Sequence, residues 1–256
     1  MNSRYKRRKA FVSSVVLFFS ALFIILGFVF FIKSFCSLIQ KYEAPINRVD
    51  TKKKEVALTF DVAWGSENIE DILQILDKYN SKATFFLVGS WMDDNEDLVK
   101  EIHNRGHEIG YHSNTHSSFT EISKEDKEDE LLITAAKIKK LTGEEPDLFR
   151  PPFGNVDKET MNVCNTLGYK TIKWDVDSGD WKNIGSVYIV DRVIKNTTSG
   201  SIILFHASAR DVSTYLEEVI NNLENKGYSM VTVSDLTYKD NYIVDGSGEQ
   251  KLKEDD

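Results

Sequence analysis

Short apolar runs alternate with amphipathic helical patterns from residue 55 to residue 238, and this alternation limits the fold more than any other feature. The runs that predict strands are 56–61, 83–88, 107–112, 148–150, 169–175, 201–206 and 230–233. Helical spacing predicts helices at 69–80, 92–105, 125–141, 157–167, 187–196 and 212–225. Such alternation predicts an α/β fold of parallel strands with right-handed crossovers. About seven βα units favour an incomplete or distorted (β/α) barrel over an open doubly wound sheet.

The N-terminal segment predicts where the chain resides. Residues 10–32 carry no charge, and as a helix they would span about 34 Å, enough to cross a bilayer. A cleaved signal peptide or a buried soluble helix fits less well, because the run is long and ends in Phe30-Phe31-Ile32-Lys33 without small residues. The basic segment 1–9 then predicts a single-pass membrane protein with its N-terminus in the cytoplasm and the remainder outside.

Composition completes the domain plan. We expect a linker at 33–54, a folded domain at 55–238 and a disordered acidic tail at 239–256. Two cysteines cannot form a disulfide framework, and Cys164 is expected in the core. The net charge is −8, and all 40 acids follow residue 33. Such a surface repels polyanions, so nucleic acid is excluded as a partner; no protein partner can be inferred. No Gly-rich phosphate loop follows the first strand, so nucleotide binding has no support.

Polar residues stand at the carboxyl ends of the predicted strands, where barrels carry their functional sites. They are Asp61, His112, His116, Arg150, Asp177, Asp180 and His206. A single polar strand end can simply cap a loop, but agreement among so many predicts one shared site. The pair His103 and His107 has the same spacing as His112 and His116, but it straddles Gly106, so we expect only the second pair to converge on a metal.

These residues fall into five ordered motifs. They are Thr59-Phe60-Asp61, His112-Ser-Asn-Thr-His116, Arg150-Pro-Pro-Phe153, Asp177-Ser-Gly-Asp180-Trp181 and Leu204-Phe205-His206. In this order they resemble the motifs of the polysaccharide deacetylases, the NodB-homology group or carbohydrate esterase family 4. The resemblance covers roughly residues 54–238 and implies a hydrolase that removes N-acetyl groups from a wall polysaccharide. Together with the predicted anchor at 10–32, it predicts a membrane-anchored deacetylase.

The resemblance also implies a role for each residue. Asp61 would be the general base and His206 the general acid. Arg150 would orient Asp61, and Asp180 would orient His206. His112 and His116 would hold a divalent metal, zinc in the first instance and cobalt or manganese as alternatives. The substrate would meet the backbone amide of Phe153 and the side chains of Trp181 and Leu204.

One position departs from the family pattern. Most members have a second acid directly after the base, where it completes the metal site, but this chain has Val62. Two imidazoles alone form a weaker site. Three interpretations stay open: weak metal binding with retained catalysis, replacement of the missing acid by Glu67 or Asp177, or a catalytically silent glycan binder.

The same departure indicates a subgroup. Phe60-Asp61-Val62-Ala63-Trp64-Gly65 is similar to the PdaB-type deacetylases of spore-forming bacteria, which implies peptidoglycan of the spore wall as substrate. A less favoured alternative is a metal-dependent esterase acting on O-acetyl sugars, a reaction that depends less on a leaving-group acid such as His206.

Overall fold

The computed structural model describes residues 44–253. The predicted cytoplasmic segment 1–9, the predicted membrane anchor 10–32 and the first half of the predicted linker, 33–43, lie outside this range. Within residues 44–253, no helix is both long and apolar enough to cross a membrane.

A curled parallel sheet forms the centre of the domain. Its strands run in the order β6-β5-β4-β3-β2-β8-β7, and a further strand, β9, pairs with the beginning of β2. The strands are β2 (Glu55–Val62), β3 (Thr84–Leu87), β4 (Glu108–Tyr111), β5 (Leu148–Phe149), β6 (Lys170–Thr171), β7 (Val176–Asp177), β8 (Ile202–His206) and β9 (Ser229–Val231). The expectation of an incomplete barrel of parallel strands is confirmed.

The opening of the barrel lies where sequence predicted one strand. Residues 169–175 do not form a single strand; the chain makes β6 at one edge of the sheet and β7 at the other. The segment between them crosses the gap between the two edges. Each of these edge strands is two residues long.

Helices cover the outer face of the sheet. They are α1 (Ile69–Lys78), α2 (Gly89–Asp94), α3 (Glu96–Asn104), α4 (Lys124–Thr142), α5 (Lys158–Leu167), α6 (Ser186–Asn196) and α7 (Val212–Asn225). The short α8 (Val233–Leu236) packs instead with the interior apolar cluster. The single helix predicted at 92–105 is wrong, because Asn95 leaves helical geometry with φ −136° and separates α2 from α3. The Asn95 side chain donates to the carbonyl of Trp91 at 2.8 Å, which stabilises this break.

The two faces of each strand have different tasks. Along β2, Val56, Leu58 and Phe60 join the apolar layer beneath the helices, whereas alternate residues face the barrel interior. The lower interior is filled by apolar residues such as Ala57 and Phe86. The same alternation places Asp61 at the upper end of the interior, where the cleft opens.

A second, small sheet was not anticipated. It consists of β1 (Arg48–Val49), β10 (Tyr242–Val244) and β11 (Glu249–Leu252), in the order β1-β11-β10. The predictions of a linker through residue 54 and of a disordered tail from 239 are therefore wrong for these strands. Gln250 is fully buried, and its side chain exchanges hydrogen bonds of 2.9 and 3.0 Å with the backbone of Tyr238.

This small sheet belongs to the amino-terminal end of the barrel. Val49 accompanies Ile46 into the interior apolar cluster, and the Val49 N–H donates to the carbonyl of Gly200, just before β8. Polar composition concealed the arrangement, because the segment buries a few alternate residues rather than a continuous apolar run.

Candidate active site

A cleft of about 1010 Å³ opens at the carboxyl ends of the strands. Parallel strands bring their carboxyl ends to one edge, so residues distant in sequence meet there. From the predicted set, Asp61, His112, His116, Phe153, Asp177, Asp180, Trp181, Leu204 and His206 line this cleft. Arg150 lies directly behind Asp61.

Asp61 is paired with a fully buried arginine. The Arg150 Nη1 donates to Asp61 Oδ1 and to the hydroxyl of Thr59, each at 2.8 Å, and Nη2 donates to the carbonyl of Lys173 at 3.0 Å. Burial disfavours the Asp61 carboxylate, but the charges of His112 and Arg150 and the hydrogen bond from Arg150 lower its pKa below the ordinary value. Asp61 is therefore an ionised acceptor at neutral pH.

Two aromatic rings hold the guanidinium in place. Its central carbon lies 4.1 Å from the ring centre of Phe86 and 5.5 Å from that of Trp174. A Cβ at Gly110 would come within 2.7 Å of the Phe86 ring, so glycine gives that ring its room. Cation–π contact with two rings favours the charged form of a group that has little access to water.

On the neighbouring strand β8, His206 lies beside Asp61 in register and is paired with Asp180. Nδ1 of His206 lies 2.8 Å from Asp180 Oδ1, and the His206 N–H donates to Oδ2 at 2.8 Å. Burial alone would lower the pKa of His206, but the hydrogen bond and charge of Asp180 raise it above the ordinary value. A histidine of this kind is suited to donate a proton near neutral pH.

The two histidines of the second motif are both neutral at pH 7; His112 carries a charge only at lower pH, where that charge acts on Asp61 and His116. His112 Nδ1 lies 2.8 Å from the carbonyl of Arg150, so it carries the proton and leaves a lone pair on Nε2, which is 3.5 Å from Asp61 Oδ2. Burial lowers the pKa of His112. Burial and then the charge of His112 lower the pKa of His116 to about 4.

His116 lies between two exposed aromatic rings. Its ring centre is 4.6 Å from that of Trp64, 4.8 Å from that of Phe153 and 5.0 Å from that of His112. Its backbone has a φ of 60°, a left-handed conformation that is uncommon for a residue with a Cβ. The loop is held from α4, since Glu130 Oε2 accepts the N–H groups of Asn114 and Thr115 at 2.7 and 2.8 Å.

The residues present fit a divalent metal only in part. Neutral imidazoles with a free lone pair are suitable ligands for zinc. However, Val62 is fully buried in the outer apolar layer with Phe60 and does not line the cleft. Within residues 44–253, no group of three or more His, Cys, Asp or Glu side chains could hold a metal, so neither Glu67 nor Asp177 completes the site.

The predicted substrate-contacting residues differ in their exposure. The Phe153 and Trp181 side chains are 62% and 56% exposed, whereas Leu204 is 2% exposed and contributes to the floor. Phe153 has a φ of 61° within the short turn Pro152–Gly154. Strained backbone of this kind concentrates at functional sites, where the surrounding structure holds it in place.

The residues of the site that were not predicted include Trp64, Trp174 and Tyr215. Trp64 and Trp174 line the cleft, and the Tyr215 hydroxyl donates to Asp180 Oδ2 at 3.0 Å. Trp174 stands at a predicted strand end and could have been found by strand alternation. Tyr215 lies inside α7, where a buried aromatic residue carries no signal in sequence.

The other histidine pair behaves as expected from its position. His107 is buried at the start of β4, where its ring packs 5.5 Å from that of Phe85, away from the cleft. Neither His103 nor His107 lines the cleft. Cys164 is a buried free thiol, as expected.

Comparison with known proteins identifies the family. Residues 48–172 match the family described as "Polysaccharide deacetylase". The chain is also 33% identical over 211 residues to the peptidoglycan-N-acetylmuramic acid deacetylase PdaA of Bacillus subtilis, covering 81% of this chain and 80% of that protein. The chain belongs to the polysaccharide deacetylase family.

Other members show how varied the family is. The uncharacterized protein YlxY of B. subtilis is 34% identical to this chain over 192 residues, covering 75% of this chain and 60% of YlxY. The crystal structure of BA3943 from Bacillus anthracis, a CE4 family pseudoenzyme, superposes with a TM-score of 0.73 at 35% identity, covering 75% of this chain and 68% of that one. A BA3943 mutant is described as having restored enzymatic activity.

Proposed function

We propose that this chain hydrolyses N-acetyl groups of a wall glycan, with peptidoglycan as the substrate. The observation that carries the proposal is the retention of a base and an acid in one cleft, each with its own charge partner. Asp61 is paired with Arg150 and His206 with Asp180. Acetamide hydrolysis needs both, because the water must lose a proton and the amine must gain one before it leaves.

In the proposed reaction, Asp61 takes a proton from a water molecule as the water oxygen forms a bond to the acetamide carbon. The developing oxyanion faces the backbone N–H of Phe153, in the strained turn. His206 then donates its proton to the nitrogen as the carbon–nitrogen bond breaks, which releases acetate and a free amine. Trp181 and Trp64 offer aromatic faces to the sugar ring, and Leu204 packs beneath the acetyl methyl.

The metal is part of the proposal in a limited form. We expect zinc, or cobalt or manganese, to bind through His112 and His116 alone and therefore weakly, because a carboxylate ligand is missing at Val62. No step of the proposed reaction depends on it here.

The cellular setting is proposed from the N-terminal sequence. An uncharged segment at 10–32 preceded by basic residues supports a single-pass anchor in the cell membrane, with the cleft outside the cytoplasm. The similarity of residues 60–65 to the PdaB-type group supports a role in sporulation. Surface labelling of intact cells at a cysteine introduced in the folded domain tests the orientation.

A second candidate function is a silent glycan-binding protein of the sporulation envelope. The observation in its favour is the buried Val62 together with the absence of a three-ligand cluster among residues 44–253. The likeness to BA3943 points the same way, since that protein is a pseudoenzyme.

Acetate release from N-acetylated peptidoglycan by the full-length protein decides between the two. It is measured with EDTA and with added Zn²⁺, Co²⁺ or Mn²⁺, beside Asp61→Asn as control. Release that is lost in Asp61→Asn supports the deacetylase. Glycan binding without release under every condition supports the silent binder. The variant His206→Gln separates the esterase alternative, because amide cleavage should be lost in it while O-ester cleavage is retained.

A further inference from the structure

The Asp180 carboxylate receives more donors than a simple Asp–His pair requires. Oδ1 accepts the Trp181 N–H at 2.8 Å and faces His206 Nδ1 at 2.8 Å. Oδ2 accepts the His206 N–H at 2.8 Å and the Tyr215 hydroxyl at 3.0 Å. Two backbone N–H groups already fix the carboxylate, so the phenol is not needed to orient it.

Tyr215 is built to be a permanent donor. The residue is fully buried in α7, and its ring stacks on Phe205 with centres 6.0 Å apart and planes at 19°. Burial, and then the negative charge of Asp180, raises the pKa of the phenol, so the hydroxyl keeps its proton. The phenol reaches the cleft only through Asp180, since Tyr215 does not line the cleft.

We propose that Tyr215 is a positioning residue that shares the Asp180 carboxylate with His206 and thereby sets how readily the His206 imidazolium releases its proton. The inference rests on the proposed role of His206 as the acid. A carboxylate that accepts a third polarised hydrogen has less charge to offer its histidine. Without the phenol, Asp180 would hold the imidazolium proton more strongly, and the acid would be weaker.

The other groups around His206 do not change in this comparison. The charged and titratable groups that face it from the neighbouring strands and from the loop after β4 are Asp61, Asp177, His112 and His116. None of them bonds to Tyr215, so removing the phenolic oxygen alters only Asp180 directly. The stacking on Phe205 is retained when tyrosine becomes phenylalanine.

The test is Tyr215→Phe in the full-length protein, with Tyr111→Phe as the matched control. Tyr111 is also a buried tyrosine, but its hydroxyl pairs with Tyr169, outside the cleft. His206 is followed by nitrogen-15 NMR titration, with its signal identified by its loss in His206→Gln. We expect the pKa of His206 to rise by about one unit in Tyr215→Phe and to stay unchanged in Tyr111→Phe.

The direction in which the pKa of His206 changes shows whether Tyr215 sets that pKa or only supports the fold. If Tyr215 only supported the fold, its loss would loosen the Asp180 contact and move the pKa of His206 down, and a downward or absent shift overturns the proposal. In the acetate-release assay, the alkaline limb should move to higher pH by the same amount, with a maximal rate about threefold lower. If the unmodified protein releases no acetate, the proposed function fails while the NMR titration still decides this inference.

Discussion

The two ends of the barrel interior are built on opposite physical rules. At the amino-terminal end, Ile46 and Val49 close the interior with apolar side chains. At the carboxyl end, the interior contains Asp61 and Arg150, and the surrounding turns hold left-handed residues such as His116. One end provides stability through burial, and the other holds a buried charged pair that the rest of the fold must stabilise.

The layer between the ends joins them. Phe86 and Trp174 belong to the apolar interior cluster and also contact the guanidinium of Arg150. The apolar residues of the interior therefore support the charged pair Asp61–Arg150 from below. Mutations that affect one end without the other test this division.

Arg150→Met should have the largest effect. It leaves Asp61 buried without its partner, which is expected to cost about 3–5 kcal/mol in the free energy of unfolding and to raise the pKa of Asp61. Urea denaturation measures the first effect and the acid limb of the pH–rate profile the second. Arg150→Lys is the control, since it keeps the charge but not all the hydrogen bonds of the guanidinium to Asp61, Thr59 and the carbonyl of Lys173, and it should lose less stability. Unchanged stability in Arg150→Met would contradict the pairing.

Val49→Asp should damage the apolar end alone. Val49 is fully buried, so a carboxylate there is expected to cost about 2–5 kcal/mol. Acetate release per folded molecule should stay within about twofold of that of the unmodified protein, because Val49 lies at the end of the barrel opposite the charged groups. Val187→Asp is the control, since Val187 is 75% exposed and should tolerate the change. Equal stability of the two variants would show that the small sheet does not close the barrel.

Asp180→Asn should change the pH dependence at the cleft. Asp180 raises the pKa of His206, so its neutralisation should move the alkaline limb of the rate profile to lower pH and reduce the maximal rate by about 10²-fold. Asp177→Asn is the matched control: it removes a charge from the same cleft without a hydrogen bond to His206, and it should shift the limb less.

The pair of His206 and Asp180 also predicts a pH dependence of the free energy of unfolding. Because the pKa of His206 is higher in the folded chain than in the unfolded chain, its contribution is complete below the unfolded value of about 6.5. That contribution is lost as the pH rises through the folded pKa. Denaturation between pH 6 and pH 9 should show this decline in the unmodified protein and a flatter profile in Asp180→Asn.

Trp181→Ala should have the smallest effect. Loss of an exposed aromatic face is expected to raise KM about tenfold while kcat changes little, because the ring binds sugar and holds no proton. Tyr188→Ala is the control: Tyr188 is 71% exposed but does not line the cleft. A change in kcat rather than KM would give Trp181 a role in the chemical step.

Prediction from sequence succeeded for site residues that stand at the carboxyl end of a predicted strand. Asp61, Arg150 and His206 each follow an apolar run, and parallel strands bring such ends together. It failed for residues 242–252, a short polar hairpin of β10 and β11 in which β11 also pairs with the distant β1. Tyr215 shows the same limit, because a buried aromatic residue becomes part of a site only through its neighbours.

The sequence by itself determined the alternation of strand and helix, the five motifs and the missing acid at Val62, because these depend on residue type and spacing alone. Only the tertiary structure decided that Val62 lies on the helix-covered face, that Glu67 and Asp177 do not replace it, and that the terminal segments close the barrel. The physical reason is that side-chain direction and long-range pairing are set by packing, which no local pattern records.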